Sequence, residues 1–225
     1  MGRTCSNQSP PNNGRESAIV TQGAQPKPDA PSDVFGQLLK SHHPDLHRMI
    51  RAYSLSRFQS ISRIQEAVLQ EHDDIDAYVY GSHQAMILIA SRDIKVSFKA
   101  HFSLSEIALP TWGSELRSQP ERIASLADDF FREFANLTAG GIKQQLQACG
   151  IICGISLPIV ASGYDEMIFS DTLRRTRFYD YWKIVAPGTQ FTCTAQVDVF
   201  DATKISGYAF AAHDPIEDEG NLEFL

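Results

Sequence analysis

The chain has 225 residues, of which 43% are hydrophobic and 21% charged, and its formal net charge is -7. This suits a soluble globular domain with tails, and an acidic chain without a basic block is a poor fit for the phosphate backbone of nucleic acid. No apolar run approaches the ~20 residues needed to cross a bilayer, and the polar N-terminus has no signal-peptide core, so a cytoplasmic protein is expected, with no membrane partner. Cys5, Cys149, Cys153 and Cys193 show neither a Cys-x-x-Cys nor a Cys/His zinc spacing. They read as reduced thiols serving as small core residues.

Residues 1–33 are rich in Pro, Asn, Gln, Ser and Gly and poor in aromatics. Such a segment buries too little apolar surface to offset the entropy of ordering it, so a disordered leader is expected. Over 44–70 the period becomes helical: Leu46, Ile50, Tyr53, Ile61, Ile64 and Val68 recur at spacings of three and four, with Arg57 as the polar break. Asp45 suits the dipole of the first turn. His42, His43 and His47 cluster there, but no carboxylate pattern completes a ligand set, and they read as surface histidines. An acidic bend at 71–76 precedes expected strands at 78–80, 85–90 and 94–102, the last two joined by Ser91-Arg92-Asp93. Alternation turns Ile94, Val96, Phe98, Ala100 and Phe102 inward and Lys95, Ser97, Lys99 and His101 towards solvent.

Residues 103–117 are irregular. Ser118-Gln119-Pro120-Glu121 makes a capping box for a long helix over about 122–149, closed by Gly150 in a left-handed cap. At ~100° per residue, Ile123, Ala127, Phe130, Phe134, Leu137 and Gly141 share one face, widened by Leu126, Ile142, Leu146 and Cys149. Glu133 and Asn136, three apart, emerge as neighbours beside that face, with Asp129, Gly140 and Gln147 near the same line. Strands are expected at 151–161, 166–169, 182–186, 190–200 and 205–211, with turns at 162–165, 187–188 and 201–204. The segment 171–180, with Arg174, Arg175 and Arg177, is either a solvated loop or a contact for an acidic partner. Residues 213–225 form an acidic, mobile tail. The whole reads as α/β (α+β): a two-layer sandwich, with a mixed or largely antiparallel sheet packed on long helices over residues 34–212.

The ordered series Glu133-x-x-Asn136-x-Thr138-Ala139-Gly140, then Lys143, Leu146 and Gly150, then Ile155-Ser156-Leu157-Pro158-Ile159-Val160-Ala161-Ser162-Gly163 resembles the CheX branch of the CheC/CheX/FliY chemotaxis phosphatases. In that family a helix bearing Glu-x-x-Asn and an Ala-Gly step runs into a strand whose entrance reads Pro-x-Val-x-x-Gly. The match covers about 126–163, with a weaker one over 85–103. A second Glu-x-x-Asn, which CheC-type relatives can carry in the first half, is absent from this sequence. The helix that usually follows the hairpin is short or missing here. Met1-Gly2-Arg3-Thr4-Cys5-Ser6 fits an N-myristoylation pattern. That modification is eukaryotic while the family is bacterial and archaeal, so the match reads as chance.

The resemblance implies dephosphorylation of a CheY-like response regulator carrying an aspartyl phosphate. Asn136 would orient the attacking water, and Glu133 would dock on a lysine of the partner's site. Gly140 would allow close approach, and Lys143 either pairs with an acidic group of the partner or is simply solvated. Thr138 either bonds to the partner or bonds back to the preceding turn. No metal or cofactor of its own is implied, Mg2+ being expected in the partner's site, and homodimers are common in the branch. The alternative is a non-catalytic adaptor that binds a receiver domain or a flagellar-switch component.

Overall fold

Period-two alternation builds the centre of the sheet. In the computed structural model, which describes residues 37–72, 81–110, 120–162, 176–206 and 209–210, Ile94, Val96, Phe98, Ala100 and Phe102 are all buried on one face of a strand spanning Ile94–Phe102. The expected leader and tail, the strands at 78–80 and 166–169, the capping residues 118–119, Cys5, Arg174 and Arg175 lie outside the described residues.

In chain order the elements are β1 (Gln37–Leu38), α1 (Leu39–His42), α2 (Pro44–Ser62), β2 (Val68–Gln70), β3 (His83–Ala90), β4 (Ile94–Phe102), a 3-10 turn (Leu104–Glu106), α3 (Pro120–Ala148), β5 (Gly154–Ile155), β6 (Ile159–Ser162), β7 (Thr176–Ala186), β8 (Thr189–Val199) and α4 (Ala202–Ser206). The strands run β1-β7-β8-β4-β3-β5, with β2 also pairing with β7 and β6 with β3. Among the described residues only the β1–β7 pair is parallel. The long helices α2 and α3 pack against each other, α2 contacting β7 and α3 contacting β3 and β4. This is the expected α/β sandwich on a largely antiparallel sheet. Among the described residues no helix is long and apolar enough to cross a membrane.

Phenylalanines fill the space between the layers. Phe102 of β4 stacks on Phe131 of α3 at 3.8 Å, while Phe134 meets Phe98 at 5.8 Å and Phe191 of β8 at 5.5 Å. The edge-on contacts of Phe134 add to the ~1.5–3 kcal/mol gained by fully burying each such side chain. A buried ion pair ties α2 to β7. Arg51 donates through Nε to Asp180 Oδ2 at 3.0 Å and through Nη2 to Asp180 Oδ1 at 2.6 Å and the Tyr181 carbonyl at 2.9 Å. Its guanidinium also bonds Glu71 and lies 5.4 Å from the Trp182 ring centroid.

That cluster corrects two sequence expectations. His47 is buried, 3.6 Å from Asp180, and burial lowers its pKa more than the nearby carboxylate raises it. Residues 176–180 are not loop but the first half of β7, where Arg177 bonds Asp198 of β8 at 2.6 Å and Asp180 faces the helices. The helical period over 44–70 also stops early. Arg63 takes φ 60, and Gln59 Nε2 donates to the carbonyls of Gln65 and Ala67 at 3.1 and 3.0 Å, turning the chain into β2. There Val68, Leu69 and Gln70 pair along β7, so edge hydrogen bonds override the period.

The expected 151–161 strand is two short ones. Ser156 exchanges bonds with Leu88 through its backbone N–H (2.9 Å) and its hydroxyl (3.0 Å), and Pro158, which has no N–H, follows before β6 begins. Of the expected 205–211 strand, residues 205 and 206 lie instead in α4, capped by Asp201, whose Oδ1 accepts from the Thr203 N–H at 3.0 Å, while 207–208 and 211 lie outside the described residues. The Ser91-Arg92-Asp93 and Pro187-Gly188 turns are as expected, Gly188 at φ 72.

Two glycines in α3 divide its surroundings. A Cβ on Gly141 would stand 2.2 Å from Tyr53 Cδ1 of α2, whereas one on Gly140 would meet nothing within 4 Å. Gly141→Ala is expected to destabilise the fold by ~1–3 kcal/mol through overpacking, and Gly140→Ala to stabilise it by up to ~1 kcal/mol through helix propensity. Chemical denaturation midpoints check both signs.

His101 points to the outer side of the sheet but is half-buried, with Nε2 3.3 Å from Thr194 Oγ1. Burial, helped by the charge of Lys99, lowers its pKa from 6.5 to about 4. The unfolded chain therefore binds a proton that the fold refuses, and this contribution to stability is intact above pH 6.5 and lost as pH falls towards 4. His101→Gln should flatten the pH dependence of unfolding free energy across that window, measured by denaturation in urea.

Candidate functional site

The geometry of α3 follows from which residues the sheet and α2 take. Ala127, Phe131, Phe134, Ala135, Thr138, Ala139, Gly141, Ile142 and Leu146 are buried. This face is rotated from the expected one: Phe131 and Thr138 replace Phe130 and Leu137 at its centre, Phe130, Leu137, Leu126 and Ile123 form a half-buried margin, and Cys149 is exposed. At ~100° per residue the centre of the exposed face falls on the line of Asp129, Glu133, Asn136, Gly140 and Gln147. The motif is therefore opposite the core rather than beside it. The extra rotation comes from the Phe102–Phe131 stack, which draws Phe131 under the helix.

Glu133 and Asn136 are both exposed and make no hydrogen bond or ion pair among the described residues. Gly140 stands one turn on, with open space where a side chain would be. Lys143 is half-buried on the flank towards β5, near enough to Cys153 for its charge to act on that thiol. Burial raises the Cys153 pKa, with Ser91 and Lys143 opposing. Thr138 is fully buried, and among the described residues its hydroxyl finds no hydrogen-bond partner, so it neither bonds back to the preceding turn nor faces outward. The structure thus brings Glu133, Asn136 and Gly140 onto one open strip, sets Lys143 at its side and removes Thr138 from it.

The helix ends as the sequence indicates. Gly150 has φ 80, its N–H bonds the Gln147 carbonyl at 2.9 Å, and the Ile151 N–H bonds the Leu146 carbonyl at 2.9 Å. This Schellman cap, with Leu146 and Ile151 both buried, fixes the path from α3 into β5 and β6. Sequence reading missed Arg132. Its Nη1 donates to Asp129 Oδ1 at 2.7 Å on the same exposed side, a pair that the i,i+3 spacing of opposite charges could have revealed. Among the described residues no three His, Cys, Asp or Glu side chains come together as a metal-holding group.

The strip can present one carboxylate and one carboxamide to another surface, with no bulk beyond them. It holds no strong base and no nucleophile. What it can do is position: a carboxamide accepts through its oxygen and donates through its nitrogen at once.

No family model matches the chain, and no curated protein matches it. Among solved structures, the chemotaxis protein CheX of Vibrio vulnificus is similar with a TM-score of 0.53 at 16% identity, over 68% of this chain and 98% of that one. CheX of Borrelia burgdorferi, solved in a complex with CheY, BeF3 and Mg2+, is similar with a TM-score of 0.52 at 11% identity, over 69% of this chain and 98% of that one. At these identities the likeness is one of architecture: the chain has a CheX-like fold.

Proposed function

We propose that the chain acts in chemotaxis-type signalling by dephosphorylating the aspartyl phosphate of a CheY-like receiver domain. The observation that carries this reading is the position of Glu133 and Asn136. Both project from the side of α3 that the core leaves free, next to a glycine with open space around it. Nothing within the described fold uses them. The Borrelia burgdorferi relative was solved with CheY, which supports a receiver as the kind of partner.

The reaction needs little from the protein. Water attacks phosphorus, a new P–O bond forms, and the P–O bond to the aspartate breaks with its electron pair leaving on the carboxylate. The water's proton goes to the phosphate released. The receiver brings the reactive acyl phosphate and a divalent cation that neutralises the phosphoryl charge. Asn136 supplies position: its carbonyl oxygen accepts from the water while its NH2 donates to a phosphoryl oxygen. Holding a reactant in line in this way lowers a barrier by several kcal/mol, up to ~7–11 in ideal cases. Glu133, one turn earlier, pairs with a lysine of the receiver's site and sets the docking register. Gly140 lets the receiver's backbone approach.

Asn136→Ala removes the carboxamide without touching the core. It is expected to leave melting and receiver binding close to wild type while lowering kcat by at least ~100-fold, on the scale of a lost transition-state contact. Retention of full turnover would contradict the assignment. Binding of a phosphorylated receiver by wild type without turnover would make the chain an adaptor instead. Glu133→Lys should weaken binding by about tenfold or more, like charge now facing the receiver's lysine, and a reciprocal Lys→Glu change in the receiver should restore part of it. Titration calorimetry across the four combinations measures the coupling, and its absence would remove the pairing.

A further inference from the structure

Asn136 has differently charged neighbours on its two flanks, and only Glu133 has a role in the function proposed above. On the helix, Arg132 lies one turn before Asn136 on the side away from Glu133. Its side chain is 47% exposed and its partner in the free chain, Asp129, is 67% exposed. The Arg132–Asp129 bond runs back along the helix at 2.7 Å, away from Asn136. An exposed pair at this spacing is weak and exchanges readily for a better acceptor.

A receiver carrying an aspartyl phosphate offers better acceptors. Its reactive site combines a phosphoryl anion with the carboxylates that hold a divalent cation, and Glu133 takes its lysine on the opposite flank. We infer that Arg132 is a second docking residue of this site: it leaves Asp129 when the receiver binds and engages an anionic group at the rim of the phosphorylated pocket. This inference rests on the proposed function. With Glu133 set for a cation and Arg132 for an anion on either side of Asn136, the receiver can seat in only one of the two orientations along the helix. Asp129 is then a built-in competitor that keeps the guanidinium occupied until a stronger acceptor arrives. Arg, whose planar fork takes two carboxylate or phosphoryl oxygens at once, suits this better than Lys.

The test is steady-state turnover of a phosphorylated receiver over a range of ionic strength, with wild type, Arg132→Gln, Arg132→Lys and Asp129→Asn. Arg132→Gln should raise KM by about three- to tenfold, leave kcat unchanged and make kcat/KM less dependent on salt. Arg132→Lys should recover part of the loss, and Asp129→Asn should lower KM. Melting temperatures of all variants should match wild type, because the exposed pair adds little to stability, so a change in KM and in its salt dependence reports docking. If Asn136→Ala stops turnover while Arg132→Gln keeps wild-type KM and salt dependence, the proposed function stands and this inference falls. If wild type turns over no receiver, the same comparison is made on binding: an unchanged Kd and salt slope in Arg132→Gln overturns the inference, and a weaker, less salt-dependent Kd supports it.

Discussion

The rotation of α3 about its own axis is the constraint on which the site depends, and phenylalanine packing sets it. Phe131 stacks on Phe102 at 3.8 Å, and Phe134 is caught edge-on between Phe98 and Phe191. Removing a ring of this kind typically costs ~3–5 kcal/mol, far more than any surface contact of the same helix supplies. A rotation of one residue, ~100°, would pull one of these rings out of the core and carry Glu133 or Asn136 against a neighbouring element. The strip is therefore presented on a rigid helix, which positions polar groups more closely than a loop can.

Other contacts hold the same setting from the side. Gly141 lets Tyr53 of α2 lie against α3, and Gln145 Nε2 donates to the Tyr53 hydroxyl at 2.9 Å. The α2 helix is in turn anchored to β7 by Arg51 and Asp180. A buried pair of this sort adds little over an apolar pair of the same shape, yet losing one partner strands the other at a cost of ~3–5 kcal/mol. It also specifies which face of α2 meets the sheet, since Trp182 Nε1 donates to Ser54 Oγ at 3.1 Å one turn away. Gly140 has no such part in packing, with nothing within 4 Å of where its Cβ would be.

Much of this was legible in the sequence because it depends on local periods. The alternation in Ile94–Phe102, the two hairpin turns, the length of α3 and its left-handed cap at Gly150 all follow from neighbours within a few residues. Glu133 and Asn136 could be placed on one exposed strip because helical spacing alone brings them together. What sequence reading lost depends on distant partners. Nothing near Arg51 or Asp180 indicates that they meet, because they are 129 positions apart, and His47 joins them only in the fold. The rotation of the buried face of α3 depends on Phe102 reaching Phe131, and the break after Ser62 depends on β7 being available to pair with Val68–Gln70. Each is a case of tertiary pairing deciding between two local readings of similar strength.

In the function proposed above, this helix speeds the loss of phosphate from a receiver's aspartate. The direct measurement is the decay of the phosphoryl group on each receiver domain encoded in the same genome, phosphorylated beforehand and timed with and without the full chain in the presence of Mg2+. The decay of at least one receiver should be accelerated catalytically, with each chain turning over many receivers. Decay rates that stay at the intrinsic value for every receiver would contradict it.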